Sequence, residues 1–164
     1  MSNPEGCMGQ ETSPRLVLDG TIMRGKGIAS GRNIDPDTGF TSTIARQLPF
    51  FKNLGVPNID KLFPGTININ IAPRQFKIIA PDYEMRDIPW WTELPEFKES
   101  FWLVKCGVKF HDRIFDSYIY YPLPSEVKSH PDTTVELLSE RIPNLHYGDP
   151  IQLEVDASAI EYKV

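Results

Sequence analysis

The sequence predicts a mainly β protein: a small closed β-barrel with one or two short helices. Three observations predict it. The chain has 164 residues, enough for one domain around one core. Its 15 prolines are scattered and accompanied by 11 glycines, which favours short strands and many turns over long helices. Several short runs alternate apolar and polar residues, most clearly Phe63-Pro64-Gly65-Thr66-Ile67-Asn68-Ile69-Asn70-Ile71. Many short strands with few helices are best served by closure, which leaves no sheet edge unpaired.

The elements follow in order. Residues 1–14 read as a flexible tail, and residues 15–164 as a single barrel domain. A strand is expected from Arg15 to Met23. A loop with Gly25, Gly27 and Gly31 comes next, then the polar, turn-rich segment Asn33 to Phe40. Thr43 to Leu54 reads as a short helix, because Ile44, Leu48, Phe51 and Leu54 recur at helical spacing, although Pro49 strains its middle. The alternating strand Thr66 to Ile71 follows, then a strand from Gln75 to Ala80. The stretch Pro81 to Phe101 contains the pair Trp90-Trp91. The favoured reading has one indole capping the barrel end, since large aromatics are mostly buried. The alternative is a lid that stacks on a flat ring.

Phe101 to Phe110 and Arg113 to Tyr121 form a hairpin about His111-Asp112. Thr133 to Arg141 is expected to be a second short helix, with Asp132 as its N-cap. Ile151 to Val155 closes the barrel, and a last strand is expected at Ile160 to Val164. Asp149 follows Gly148 and belongs in a turn.

Charge and composition exclude several classes. The net charge is −5 and no dense Lys/Arg cluster occurs, so a nucleic-acid binder is not expected. No run approaches the ~18–20 apolar residues of a membrane span, and no basic region precedes an apolar stretch at the N-terminus. Neither a membrane nor a secretory route is expected. The two cysteines, Cys7 and Cys106, read as reduced thiols in a cytoplasmic protein. His111, His130 and His146 lack metal-ligand spacing. Nothing in the order of Ser, His, Asp or Cys supports covalent catalysis.

Two features carry chemistry. Residues i, i+2 and i+4 of a strand share a face. Ile67, Ile69 and Ile71 therefore face a core, while Thr66, Asn68 and Asn70 present a hydroxyl and two carboxamides. Such a row offers oxygen to a hard cation or to a polar ligand. The second feature is the loop after the first strand. Glycines let backbone N–H groups approach a phosphate closely, and Arg24, Lys26 and Arg32 add positive charge. The loop lacks the Gly-Lys-[Ser/Thr] ending of a P-loop and the context of a dinucleotide fingerprint.

Together these motifs resemble the archaeal-type CTP-dependent riboflavin kinase family. The counterparts are Gly25-Lys26-Gly27 with Gly31-Arg32, and Gly65-Thr66-Ile67-Asn68-Ile69. Phe115-Asp116-Ser117-Tyr118-Ile119-Tyr120-Tyr121-Pro122 looks like a later family strand that ends at proline. Tyr147-Gly148-Asp149-Pro150-Ile151-Gln152-Leu153 looks like its closing strand. The resemblance spans roughly residues 16 to 155, and the Gly-Thr-x-Asn strand is its most specific part. The chain departs from the family by the insertion Ile28-Ala29-Ser30 and by a shorter stretch between Glu136 and Gly148.

The resemblance implies a six-stranded cradle-loop barrel and a reaction. Thr66 and Asn68 would ligate Mg²⁺. Gly25, Lys26, Gly27, Gly31 and Arg32 would cradle a nucleoside triphosphate, CTP in the family. Thr133 or Thr134, with Glu136, would contact riboflavin. Asn68 or Glu136 would meet the ribityl 5′-hydroxyl that accepts the phosphoryl group, Glu136 as a binder more than as a base. The product would be FMN, from a monomer or small homo-oligomer. Two other classes remain in view: a nucleotide- or flavin-binding barrel that has lost catalysis, and a DNA-binding regulator of related fold, which the acidity opposes.

Overall fold

Alternating apolar residues make strands only if a partner covers their greasy face, and here the strands cover one another by closing. The computed structural model describes residues 14–24, 43–123 and 132–163. In chain order they form β1 (Arg15–Met23), α1 (Thr43–Asn53), a short 3₁₀ turn (Ile59–Lys61), β2 (Ile67–Asn70), β3 (Gln75–Ile78) and β4 (Tyr83–Ile88). Then come β5 (Glu99–Phe110), β6 (Arg113–Pro122), β7 (Thr134–Ser139), β8 (Pro150–Asp156) and β9 (Ile160–Lys163). Strands β5-β6-β7-β2-β1-β8 pair in that order, and β8 returns to pair with β5. All these pairings are antiparallel, so the result is a closed six-stranded antiparallel barrel. β4 adds one strand beside β5, and β3 pairs with β9 in a separate ribbon.

The barrel interior is aliphatic. Leu18, Ile69, Val104, Val108, Ile119, Val135, Leu137, Leu153 and Val155 lie in it, all fully or nearly fully buried. Cys106 is also there, and burial pushes its thiol pKa up, which makes it an inert core residue. The expected hairpin turns at His111 and Asp112, both at positive φ (47° and 60°). Two consecutive left-handed residues give the turn whose twist matches the flanking strands. At Gly20 the strands approach closely: a Cβ there would stand 2.5 Å from Ile69 Cγ2 and 3.0 Å from the Asn70 carbonyl oxygen.

A second core lies outside the barrel. Helix α1 packs Ile44, Leu48 and Phe51 against Met85, Phe101, Leu103, Tyr118, Tyr120 and Leu138. These barrel residues are on the outer faces of β4 to β7, because their neighbours Ile119 and Leu137 point inward. Pro49 sits inside α1 without breaking it. Among the described residues no helix is long and apolar enough to cross a membrane.

Several expectations differ from the structure. Thr133 to Arg141 is not a helix: Thr134–Ser139 is strand β7, paired with β2 and β6. Both faces of β7 are covered, one by the barrel interior and one by the outer core, so it lacks the alternation that marks a half-exposed strand. Asp132 caps no helix; its carbonyl accepts a hydrogen bond from the Phe76 N–H at 3.1 Å. The strand β4 has no counterpart in the sequence reading, since Tyr83–Ile88 is polar at most of its outward positions. Trp90 is buried in the outer core rather than across the barrel end.

Candidate functional site

The two faces of β2 part as the alternation requires. Ile69 and Ile71 are buried in the barrel, and Ile67 packs against the same core. Thr66 and Asn68 are half-buried and Asn70 is exposed on the outside. The Asn70 side-chain oxygen accepts the Ala72 N–H at 2.9 Å, which turns the chain out of the strand.

Register decides what these residues meet. Asn68 lies opposite Glu136 of β7 on one side and opposite Met23, the last residue of β1, on the other. Asn70 lies opposite Thr134 and Thr21. Directly opposed residues of an antiparallel pair sit side by side on one face. The outer surface of β1-β2-β7 therefore holds Thr66, Asn68, Thr134 and Glu136 together. Thr134 is buried, and its hydroxyl donates to the Met23 sulfur at 3.6 Å. Thr133 stands in the turn before β7, where its carbonyl accepts the Ile71 N–H at 2.9 Å. Gly25, Lys26, Gly27, Gly31 and Arg32 lie outside the described residues. The segment that carries them connects Arg24, beside this surface, to Thr43 at the start of α1.

The exit from β1 is fastened. The Gly148 N–H donates to the Ile22 carbonyl at 2.7 Å, and the Ile22 N–H donates to the Asp149 carbonyl at 2.9 Å. Gly148 adopts φ of +89°, which glycine accepts without strain. The Asp149 carboxylate takes the His146 N–H at 2.8 Å and closes the turn. The Arg24 guanidinium lies 5.3 Å from the centre of the Tyr147 ring. On the same outer surface, a cleft of about 810 Å³ opens over Asp19, Thr21, Asn70, Lys109, His111 and Gln152.

Sequence reasoning singled out the pair Trp90-Trp91 but missed Glu99, Tyr120 and Gln47 at the other border of the site. Glu99 opens β5, on the same face as Phe101 and Leu103. Its Oε1 accepts the Trp90 indole N–H at 3.0 Å. Trp90 stacks on Trp91 (6.4 Å, 20°), and both meet Phe97 edge-on. Tyr120 donates its hydroxyl to Gln47 Oε1 at 2.7 Å, and both side chains are buried. Burial raises the Glu99 carboxyl pKa, the Trp90 hydrogen bond opposes this, and the negative charge of Glu136 raises it further. Burial likewise holds the Tyr120 phenol well above its ordinary value, reinforced by repulsion from Glu136 and Glu99. Two carboxyls and a phenol thus share one electrostatic neighbourhood. The alternation Glu99-Phe101-Leu103 was the available signal, visible only once the outer face was known to be covered.

Chemically, the surface offers neutral oxygens from Thr66 and Asn68, a carboxyl directly across the ladder, and a second carboxyl at the aromatic border. Neutral oxygens suit a hard cation that keeps waters and shares phosphate oxygens. No protein-family model matches the chain, and no curated protein matches it.

Proposed function

We propose that this chain is a riboflavin kinase, which transfers the terminal phosphate of a nucleoside triphosphate to the 5′-hydroxyl of riboflavin and yields FMN. The observation that carries the reading is the register of β1, β2 and β7. It puts Asn68 between Met23, where the glycine-rich segment departs, and Glu136. The strand that leads into the glycine-rich segment and the Gly-Thr-x-Asn strand are thus paired beside Glu136, which supports the reading although they are far apart in sequence.

Thr66 and Asn68 would hold Mg²⁺ through their side-chain oxygens. When bound, the ion supplies charge neutralisation to the donor's phosphates. The chain's own residues do the rest. By the resemblance, Gly25, Lys26, Gly27, Gly31 and Arg32 would bind the phosphates. Glu136, two residues along the same face of β7 from Thr134, would orient the acceptor hydroxyl toward the phosphates on the Asn68 side. Phosphoryl transfer through a loose transition state asks for this kind of positioning more than for a strong base. CTP is the donor that the resemblance favours.

The test is incubation of the purified chain with riboflavin, Mg²⁺ and each of CTP, ATP, GTP and UTP, scored for FMN by chromatography. FMN with one donor supports the reading and names that donor. A folded chain that makes no FMN with any of them is a binding barrel without this activity. Thr66→Ala is expected to keep the fold and lose at least about a hundredfold in turnover, the scale of removing one preorganised transition-state contact. Unchanged turnover would remove Thr66 from the metal site. Glu136→Gln is expected to raise the riboflavin KM with little change in kcat, the mark of a binding contact.

A further inference from the structure

Glu99 has no part in the motifs that suggested the kinase, yet it is built like a ligand-binding group. Its carboxyl is mostly withdrawn from water, which costs free energy unless something compensates. One oxygen is fastened by the Trp90 indole at 3.0 Å. The other accepts no hydrogen bond among the described residues and is not sealed off from solvent, since Trp102 Nε1 is the one sealed polar side-chain atom without a partner there. The carboxyl is therefore held at one end and open at the other.

Its setting gives the open end a direction. Glu99, Phe101 and Leu103 alternate along the outer face of β5. Leu103 pairs with Tyr120 of β6, and Ile119 beside it pairs with Leu137 of β7. The next residues along those two strands are Tyr120 and Glu136, on that same outer face. The Tyr120 hydroxyl is bound by Gln47 of α1, so it is not offered to a ligand. Glu99 and Glu136 are half-buried carboxyls on either side of it, each close enough to act on its phenol. Two like charges on either side of a buried phenol repel. A ligand that brings hydroxyl donors relieves this at Glu99, whose second carboxylate oxygen can accept an O–H hydrogen bond.

We infer that Glu99 is a further acceptor-binding residue, which takes hydroxyls of the ribityl chain while Glu136 takes those nearer the transferred phosphate. This rests on the riboflavin kinase reading and assigns the polyol, rather than the flavin ring, to the Glu99 side. Trp90 is the positioning residue that holds the carboxylate.

The experiment is a fluorescence titration with riboflavin and with lumiflavin, without nucleotide, on the wild-type chain, Glu99→Gln and Trp90→Phe. Lumiflavin keeps the ring system and lacks the ribityl hydroxyls. A glutamine can still accept the Trp90 N–H, so the layer around it stays fastened. Glu99→Gln is expected to weaken riboflavin binding about tenfold, the scale of one charge-assisted hydrogen bond, and to leave lumiflavin binding unchanged. Trp90→Phe, which keeps the charge and releases its anchor, is expected to weaken riboflavin by a smaller factor. Equal riboflavin affinity in Glu99→Gln and wild type overturns the inference. So does a parallel loss of riboflavin and lumiflavin, which would make Glu99 a structural support. If the wild-type chain makes FMN and these results follow, only the inference falls. If the wild-type chain neither binds riboflavin nor makes FMN, the kinase reading falls with it.

Discussion

The barrel interior and the outer layer under α1 are built on the same strands and differ in almost everything else. Inside, β1, β2, β5, β6, β7 and β8 contribute Leu, Ile and Val, and the notable polar contact is the pair Ser117 and Ser139, whose hydroxyls meet at 2.9 Å. Outside, aromatics with polar tips pack around β4 to β7, and three of those tips are hydrogen-bonded. Tyr118 donates to the Pro57 carbonyl at 3.0 Å, Tyr120 to Gln47 at 2.7 Å and Trp90 to Glu99 at 3.0 Å. An aliphatic interior supplies packing and no ligand chemistry. An aromatic layer with polar tips can be solid at its centre and reactive at its margin. The difference locates the candidate site: it lies where the outer layer ends and the polar surface of β1-β2-β7 begins.

Neighbouring residues on β7 offer the sharpest way to break that comparison. Leu137 is fully buried inside and Glu136 is half-buried outside. Leu137→Glu places a carboxylate in the barrel with nothing to pair it, at a cost of several kcal/mol or roughly the whole stability of a small domain. No cooperative thermal transition is expected. Glu136→Leu is expected to stay folded, with a melting temperature within about 5 °C of wild type, and to lose riboflavin affinity. If both variants unfolded alike, the two faces would not be distinct.

A smaller effect tests whether the outer layer depends on its helix. Phe51 is fully buried and meets Phe101 edge-on at 5.2 Å. Phe51→Ala is expected to cost about 3–5 kcal/mol in urea unfolding. Its tryptophan emission should move to the red as Trp90 gains water. Unchanged emission would mean that the layer holds Trp90 without α1.

The smallest expected effect is a slope with pH. Burial holds the Glu99 carboxyl above its ordinary range. Between the ordinary value and the raised one, the folded chain binds this proton more tightly than the unfolded chain. Stability therefore falls as pH rises through that window, and the contribution is full only below it. Glu99→Gln removes the group, so its melting temperature relative to wild type should rise as pH goes from about 4 to 7. A constant difference across that range would show that Glu99 is as well accommodated charged as neutral.

Much of the barrel was legible because alternation reports a strand directly. Arg15–Met23 coincides with β1, and the two long strands about His111-Asp112 form the expected hairpin. The Thr66 and Asn68 face was readable for the same reason. β7 was not, because a strand covered on both sides loses its period and TVELL satisfies a helical spacing equally well. Glu99 and Tyr120 were not readable as site neighbours either. Residues 90, 99, 120 and 136 come together only after β5, β6 and β7 pair.

By itself, then, the sequence determined the strand class, the position of the hairpin turn and which side of β2 is polar. Those depend on side-chain alternation and on local backbone preference, which act over a few residues. Only the tertiary structure decided that Asn68 stands opposite Glu136, and that a second carboxyl is half-buried at the edge of the aromatic layer. Those depend on strand register and on closure of the barrel, which bring residues together across long stretches of chain and leave no local trace.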